Sequence, residues 1–350
     1  MSNDSKAVRR QNTRGHLTPD AVPRQRWAFL DTLRGFALAG ILLVNSLDIS
    51  RLGYENTTLE PDPTREILYL TVQTRFVPIF VVLFGMSLFL ILRGARERAP
   101  RPWLPLVRRL VTLAAIGGLL MLVYPGNILV EYGTVGLAIL PAVLFAPRWL
   151  VLALGMVGTS LAYALLGGGF AATPGLMLLG AAAAAYGVPA ILEAGGRGVA
   201  IVALATAALA IPAIIWQLTE PGDPRFTLAG GVAGLVLAVA YTMLLSALWR
   251  TPARRTLSAV FDSLGRMALT NYVTGALLVA ATAAVVDFTR MPSAWPAVAM
   301  SLVIIAVQSL ASRAWLSRFS YGPVEWLLRI ATWGRPVSLR RDRSSIRGTA

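Results

Sequence analysis

Apolar residues run along this chain in stretches the length of a bilayer crossing, separated by short polar or basic connections. The stretches fall near 27–47, 67–92, 106–124, 127–146, 149–166, 175–192, 199–217, 226–249, 267–288 and 294–312, which predicts ten hydrophobic helices. The fifth to seventh are rich in Ala and Gly, a composition that lets helix backbones approach closely in lipid. Asp31 and Arg34 lie early in the first stretch and no small-residue cleavage site follows it, so it reads as a span and not as a cleaved leader. Ser320–Trp333 is too short and too polar to cross. Trp326, Leu327, Ile330 and Trp333 share one helical face there, with Glu325 and Arg329 elsewhere, which predicts an interfacial helix. The expected organisation is a disordered basic tail at 1–26, a transmembrane bundle at 27–249, a C-terminal transmembrane part with its interfacial helix at 250–334, and a disordered basic tail at 335–350.

Composition agrees with this pattern. Of the 350 residues 56% are hydrophobic and 14% charged, against about 25% charged in soluble domains, which argues against a water-soluble enzyme. Cysteine is absent, so neither a disulfide framework nor a thiolate nucleophile is available. The single histidine, His16, lies in the polar N-terminal segment, which leaves no imidazole for a buried base and no metal-ligand cluster.

The net charge of +15 raises the question of nucleic acid. Position answers it. With the N-terminus inside, the cytoplasmic connections collect Arg93, Arg96, Arg98, Arg101, Arg108, Arg109, Arg148, Arg197, Arg250, Arg254, Arg255, Arg266 and the set from Arg313 to Arg347. The outer connections hold only Arg51, Arg65, Arg225 and Arg290, together with most of the acidic loop residues. Basic charge spread over many loops on one side is the positive-inside pattern, not a nucleic-acid stripe. The expectation is an all-α, polytopic integral membrane protein of about ten transmembrane helices with both termini cytoplasmic. In a bacterium it would sit in the inner (plasma) membrane, since outer-membrane proteins are barrels. The lipid bilayer is the partner this implies, and no nucleic acid.

Polar side chains inside apolar helices cost ~3 kcal/mol or more when charged, so they mark structural pairs or function. In the first helix Asp31, Arg34, Asn45 and Asp48 fall on one stripe, with Leu38 and Ile41 between them. That stripe is expected to face a cavity; the plainer alternative is an interfacial Asp31–Arg34 pair and an Asp48 among outer headgroups. Arg75 opens the second helix, and Glu131 follows Asn127 by one turn in the fourth, so an Arg75–Glu131 ion pair is a further expectation. It would either serve a site or fasten helices together. Asn271 and Tyr272 lie one turn inside the ninth, lining a pocket or bonding neighbouring helices.

Several of these residues sit in familiar strings. Leu30-Asp31-Thr32-Leu33-Arg34-Gly35-Phe36-Ala37-Leu38 running on to Asn45, Leu83-Phe84-Gly85, Gly126-Asn127-Ile128-Leu129 with Tyr132-Gly133, Gly265 to Tyr272, and Gly322-Pro323-Val324-Glu325-Trp326 resemble the YeiB family, the last two strings its C-terminal domain of unknown function 418 (DUF418). That family is similar to membrane acyltransferases, including the acyltransferase-3 proteins and the heparan glucosaminide acetyltransferases. The resemblance implies an acyl-CoA donor taken from the cytoplasm, with Arg34 on its acidic groups, and a sugar or small-molecule acceptor. Where the acyltransferase-3 pattern has His, this chain has Asn45, and where many YeiB-like sequences have Asp, it has Asn127. An amide does not take a proton at neutral pH, so acyl transfer would fall to Asp48 or Glu131 as base. A small-molecule transporter using Arg75, Glu131 and Asp48 as a polar pathway, and a catalytically inactive binding protein, are the alternatives.

Overall fold

The computed structural model describes residues 26–57, 61–220 and 222–340. Residues 1–25 and 341–350, most of the two expected tails, lie outside them. The described chain is helical, and each of the ten apolar stretches coincides with helix: α1 (Ala28–Ile49), α2 (Pro63–Thr71), α3 (Phe76–Arg96), α4 (Trp103–Leu120), α5 (Leu129–Phe145), α6 (Arg148–Leu166), α7 (Thr173–Ala185), α8 (Val188–Ala194), α9 (Arg197–Thr219), α10 (Leu228–Leu248), α11 (Ala253–Arg266), α12 (Ala268–Ala283), α13 (Trp295–Arg318) and α14 (Pro323–Trp333).

The ten stretches are not ten equal spans. Seven segments among the described residues are long and apolar enough to cross a membrane, α2 and α3 counting together as Pro63–Arg96. The sixth stretch is broken: Gly169–Ala185 and Val188–Ala194 meet at 74°, and as one span they would make eight. The break falls at Gly187, in the left-handed conformation that Gly adopts without a Cβ penalty. α5 and α12 are apolar but shorter.

The surface is that of a protein in lipid. Leu204, Ile211 and Leu218 along α9, and Leu161 and Leu165 on α6, are exposed, a face that water would not tolerate but acyl chains would. The interior is packed by close backbone approach. A Cβ at Gly85 would collide with the Met177 backbone, and one at Gly180 with the Val82 carbonyl, so α3 and α7 meet through glycine. α1 is crossed by α11 in the same way, Gly35 lying against Gly265.

Two elements depart from the sequence expectation. The connection 250–266 contains α11, amphipathic and packed on α1. α14 packs on α4 and α12, with Leu328 and Thr332 buried, while Leu327 of the expected apolar face is exposed and Glu325 turns inward. Residues 335–340 return to the bundle: the Leu339 carbonyl accepts from the Ser320 amide at 2.9 Å, and that of Val337 from the Trp326 indole at 2.8 Å.

Candidate cavity at the arginine-rich end

α1, α4 and α12 begin, and α3 ends, at one end of the bundle, and α14 lies across it. Between them is a cavity of about 560 Å³, within the range of small-molecule sites. Five arginines line it, Arg34, Arg93, Arg98, Arg109 and Arg266, with Glu97 and Glu325 as the carboxylates. Its walls are apolar, from Phe80, Leu83, Phe84, Leu113 and Leu129, and it reaches Tyr132 and Tyr272. Arginines thus gather at the entrance, where water is available, and aromatic hydroxyls in the depth.

The arginines differ in what holds them. Asp31 accepts from Arg34 at 3.0 Å and from Arg26 at 3.0 Å; Arg26 continues to Asp262 at 2.6 Å, and Arg266 lies 3.9 Å from Asp262. This alternating chain ties α1 to α11 and fixes Arg34, whose other amino group reaches the Ser87 hydroxyl at 3.5 Å. Among the described residues Arg93, Arg98 and Arg109 have no carboxylate within ion-pair distance. Arg109 is more enclosed than the exposed Arg93 and Arg98. Its Nε is buried without a hydrogen-bond partner among the described residues, and its charged neighbours are Arg34, Glu325 and Arg329. Two like charges and one shared acid leave a positive surplus, which an anionic guest relieves.

Glu325 has a different task. Its Oε1 accepts from the amides of Leu269 at 2.7 Å and Thr270 at 3.0 Å, and its Oε2 from the Thr270 hydroxyl at 2.5 Å. It caps the first turn of α12, whose free amides it would otherwise leave unsatisfied. Burial pushes its carboxyl above the ordinary carboxylate range, and the bonds from Thr270 and Leu269 pull the other way.

The residues nominated from the sequence divide. Arg34 and Tyr272 line the cavity. Asp31 anchors Arg34. Asn45 reaches the Tyr272 hydroxyl, which also accepts from the Ile128 amide at 3.2 Å; Asn45 and Tyr272 border a small apolar void with Asn271. Asn271 is a helix fastener, donating to the Leu264 carbonyl at 3.2 Å and the Ser312 hydroxyl at 3.0 Å. Asn127 does the same for the turn before α5, donating to the carbonyls of Gly117 at 3.1 Å and Tyr124 at 2.9 Å and accepting from the Leu129 amide at 3.2 Å.

Asp48, Arg75 and Glu131 lie outside the cavity lining. Asp48 accepts from Arg225 at 2.7 Å at the opposite end of α1. The expected Arg75–Glu131 pair is not formed. Arg75 is fully buried and donates to the Gln73 carbonyl, the Thr74 hydroxyl at 2.8 Å and the Gln217 side chain. Glu131 takes its hydrogen bond from Thr173. Neutral acceptors close to Arg75 in the α2–α3 turn and on α9 take its two terminal nitrogens without an acid from α5, its Nε being buried with no partner among the described residues. Arg109 and Tyr132 escaped the sequence expectations: Arg109 reads there as one more loop-flanking arginine, and Tyr132 only as part of a motif string.

Comparison with known proteins places this site in a lineage. Residues 26–211 match the family described as heparan-alpha-glucosaminide N-acetyltransferase, catalytic, and residues 189–335 match a protein family of unknown function, DUF418. The first match contains Arg34, Arg93, Arg98, Arg109 and Tyr132, and the second Arg266, Tyr272 and Glu325, so the cavity is built from both. Similar over nearly their full lengths are an uncharacterized 39.9 kDa protein in the amylase 3' region of Bacillus acidopullulyticus, 29% identical across 91% of this chain and 97% of its own, and the uncharacterized protein YxaH of Bacillus subtilis (strain 168), 26% identical across 89% and 95%.

Proposed function

We propose, from the premise that the chain belongs to the heparan-alpha-glucosaminide N-acetyltransferase catalytic family and carries a DUF418 region, that this membrane acetyltransferase-like protein takes a cytoplasmic acyl-CoA as donor for a sugar or other small acceptor. The observation that carries the proposal is the cavity in which Arg93, Arg98 and Arg109 lack carboxylate partners among the described residues and line one entrance to an apolar shaft. The phosphates of CoA suit unpaired guanidinium groups. Its narrow pantetheine arm suits a channel walled by Phe80, Phe84 and Leu113.

The same proposal includes the topology. The seven long spans, the bent pair and the two shorter helices make ten crossings, with both termini cytoplasmic, in the bacterial plasma membrane. The arginine-rich entrance then faces the cytoplasm, where acyl-CoA is made. The YeiB-like motif strings and the Bacillus relatives support this setting.

A second reading has its own observation. Among the described residues there is no imidazole, the chain's one histidine being His16, and the Glu325 carboxylate is engaged by three hydrogen bonds. A protein that binds an acyl-CoA without transferring its acyl group fits that arrangement. One experiment addresses both. Purified protein in nanodiscs, titrated with acetyl-CoA, binds it, and Arg109→Ala weakens binding by at least about tenfold. Labelled acetyl-CoA then distinguishes transfer or hydrolysis from binding alone. Wild-type protein that neither binds acetyl-CoA nor is stabilised by it overturns the donor proposal.

A further inference from the structure

Tyr132 is 1% exposed, and its hydroxyl is buried with no hydrogen-bond partner among the described residues. A buried hydroxyl left alone in an apolar protein is costly, and such groups are rare unless something else completes them. Tyr132 is also a lining residue of the arginine-rich cavity. Its ring packs against two further lining residues, 6.0 Å from Phe80 and 5.4 Å from Phe84 between ring centres, so a guest reaches the hydroxyl where that aromatic wall gives way. Tyr272, the other tyrosine of the cavity, is already engaged by the Ile128 amide and Asn45. Both are bonds that the Tyr272 oxygen accepts; of the two tyrosines, Tyr132 is the one whose hydroxyl has no partner at all among the described residues.

We infer that the Tyr132 hydroxyl donates its hydrogen bond to the thioester carbonyl oxygen of the bound acyl donor. This rests on the donor reading above and adds which end of the molecule lies where. A donor held by its phosphates at Arg93 and Arg98 extends its arm along the apolar wall, so its reactive end is the part that reaches the depth. The carbonyl is the polar atom at that end, and an O–H donor walled by aromatic rings is the group that binds it without competition from water. Arg109, with its own buried and unpartnered Nε, is the second incomplete group of the same cavity. Both groups lack a polar partner among the described residues.

Three ligands and one variant test this: acetyl-CoA, S-ethyl-CoA, which has a methylene in place of the carbonyl, and CoA, each titrated against wild type and Tyr132→Phe in nanodiscs. Wild type is expected to bind acetyl-CoA about tenfold more tightly than S-ethyl-CoA. Tyr132→Phe is expected to bind the two equally while keeping the wild-type affinity for CoA. The ligand-free variant is expected to melt no lower than wild type, since the lost hydroxyl had no partner; a structural hydroxyl would instead lower the melting temperature. Equal binding of acetyl-CoA and S-ethyl-CoA by wild type, or a preference that survives in Tyr132→Phe, overturns the assignment while the donor reading stands. Absence of binding by any of the three to wild type overturns both.

Discussion

The two ends of the bundle differ in the arginines they leave without a carboxylate. At the end where α1 finishes, Arg225 is gripped by Asp48 and Asp223, each at 2.7 Å, and Arg75 is enclosed by Gln73, Thr74 and Gln217. Burial works against the Arg225 charge, yet the bonds from Asp223 and Asp48 hold its proton more firmly than in an ordinary arginine. At the end where α1 begins, Arg93, Arg98 and Arg109 have no such acid among the described residues. Arginines held by side chains of other elements tie helices together. Arginines without a carboxylate partner, gathered around a cavity, suit an anionic guest. The sequence alone does not separate the two kinds, because both look like isolated basic residues beside apolar runs.

Removing a buried arginine tests the comparison most severely. Arg75→Ala strands the buried Gln217 side-chain oxygen and empties a fully buried site, and is expected to cost about 2–3 kcal/mol. Thermal unfolding in detergent would register it as a marked fall in melting temperature. An unchanged melting temperature would mean that the enclosure of Arg75 is not a fastening.

Glu325 gives a smaller and pH-dependent effect. Glu325→Gln keeps one acceptor at the α12 N-terminus and is expected to cost about 1 kcal/mol near neutral pH. Because burial raises the folded-state value above the ordinary 4.5, the folded protein holds this proton more tightly than the unfolded chain does. Its contribution to stability is therefore full below pH 4.5 and declines as the pH rises from there through the raised value. Melting curves across that range should show a decline in wild type that Glu325→Gln lacks. An identical profile in both would deny Glu325 its buried position.

Asp48→Asn should do least. Arg225 retains Asp223, and exposed pairs contribute roughly 0–1 kcal/mol. Binding of acetyl-CoA should be unaffected. If the protein transfers acetyl groups and Asp48→Asn abolishes the transfer, Asp48 regains its place as a base and the division between the two ends fails.

Much of the architecture was legible in the chain. Each apolar stretch became helix because no other backbone satisfies its own amides in hydrocarbon. The amphipathic signal of α11 was also present, with Leu257, Val260, Phe261 and Leu264 at helical spacing, though masked by its arginines. The site was less legible. Arg34 and Tyr272 could be found from their position inside apolar helices. Arg109 could not, since only the packing of α14 over α4 encloses it. Nor could the partners of Arg75 be found, because Gln217 lies far along the chain and a glutamine in an apolar helix gives no sign of which neighbour it faces.

The glycine crossing of α1 and α11 limits how this molecule can breathe. Gly35 and Gly265 put main chain against main chain, and the Arg26–Asp262 bridge bolts the same joint from above. That side of the entrance is a fixed doorpost. Room for a bulkier guest is expected to come from the other side of the entrance, where Glu97 to Pro102 turns from α3 into α4.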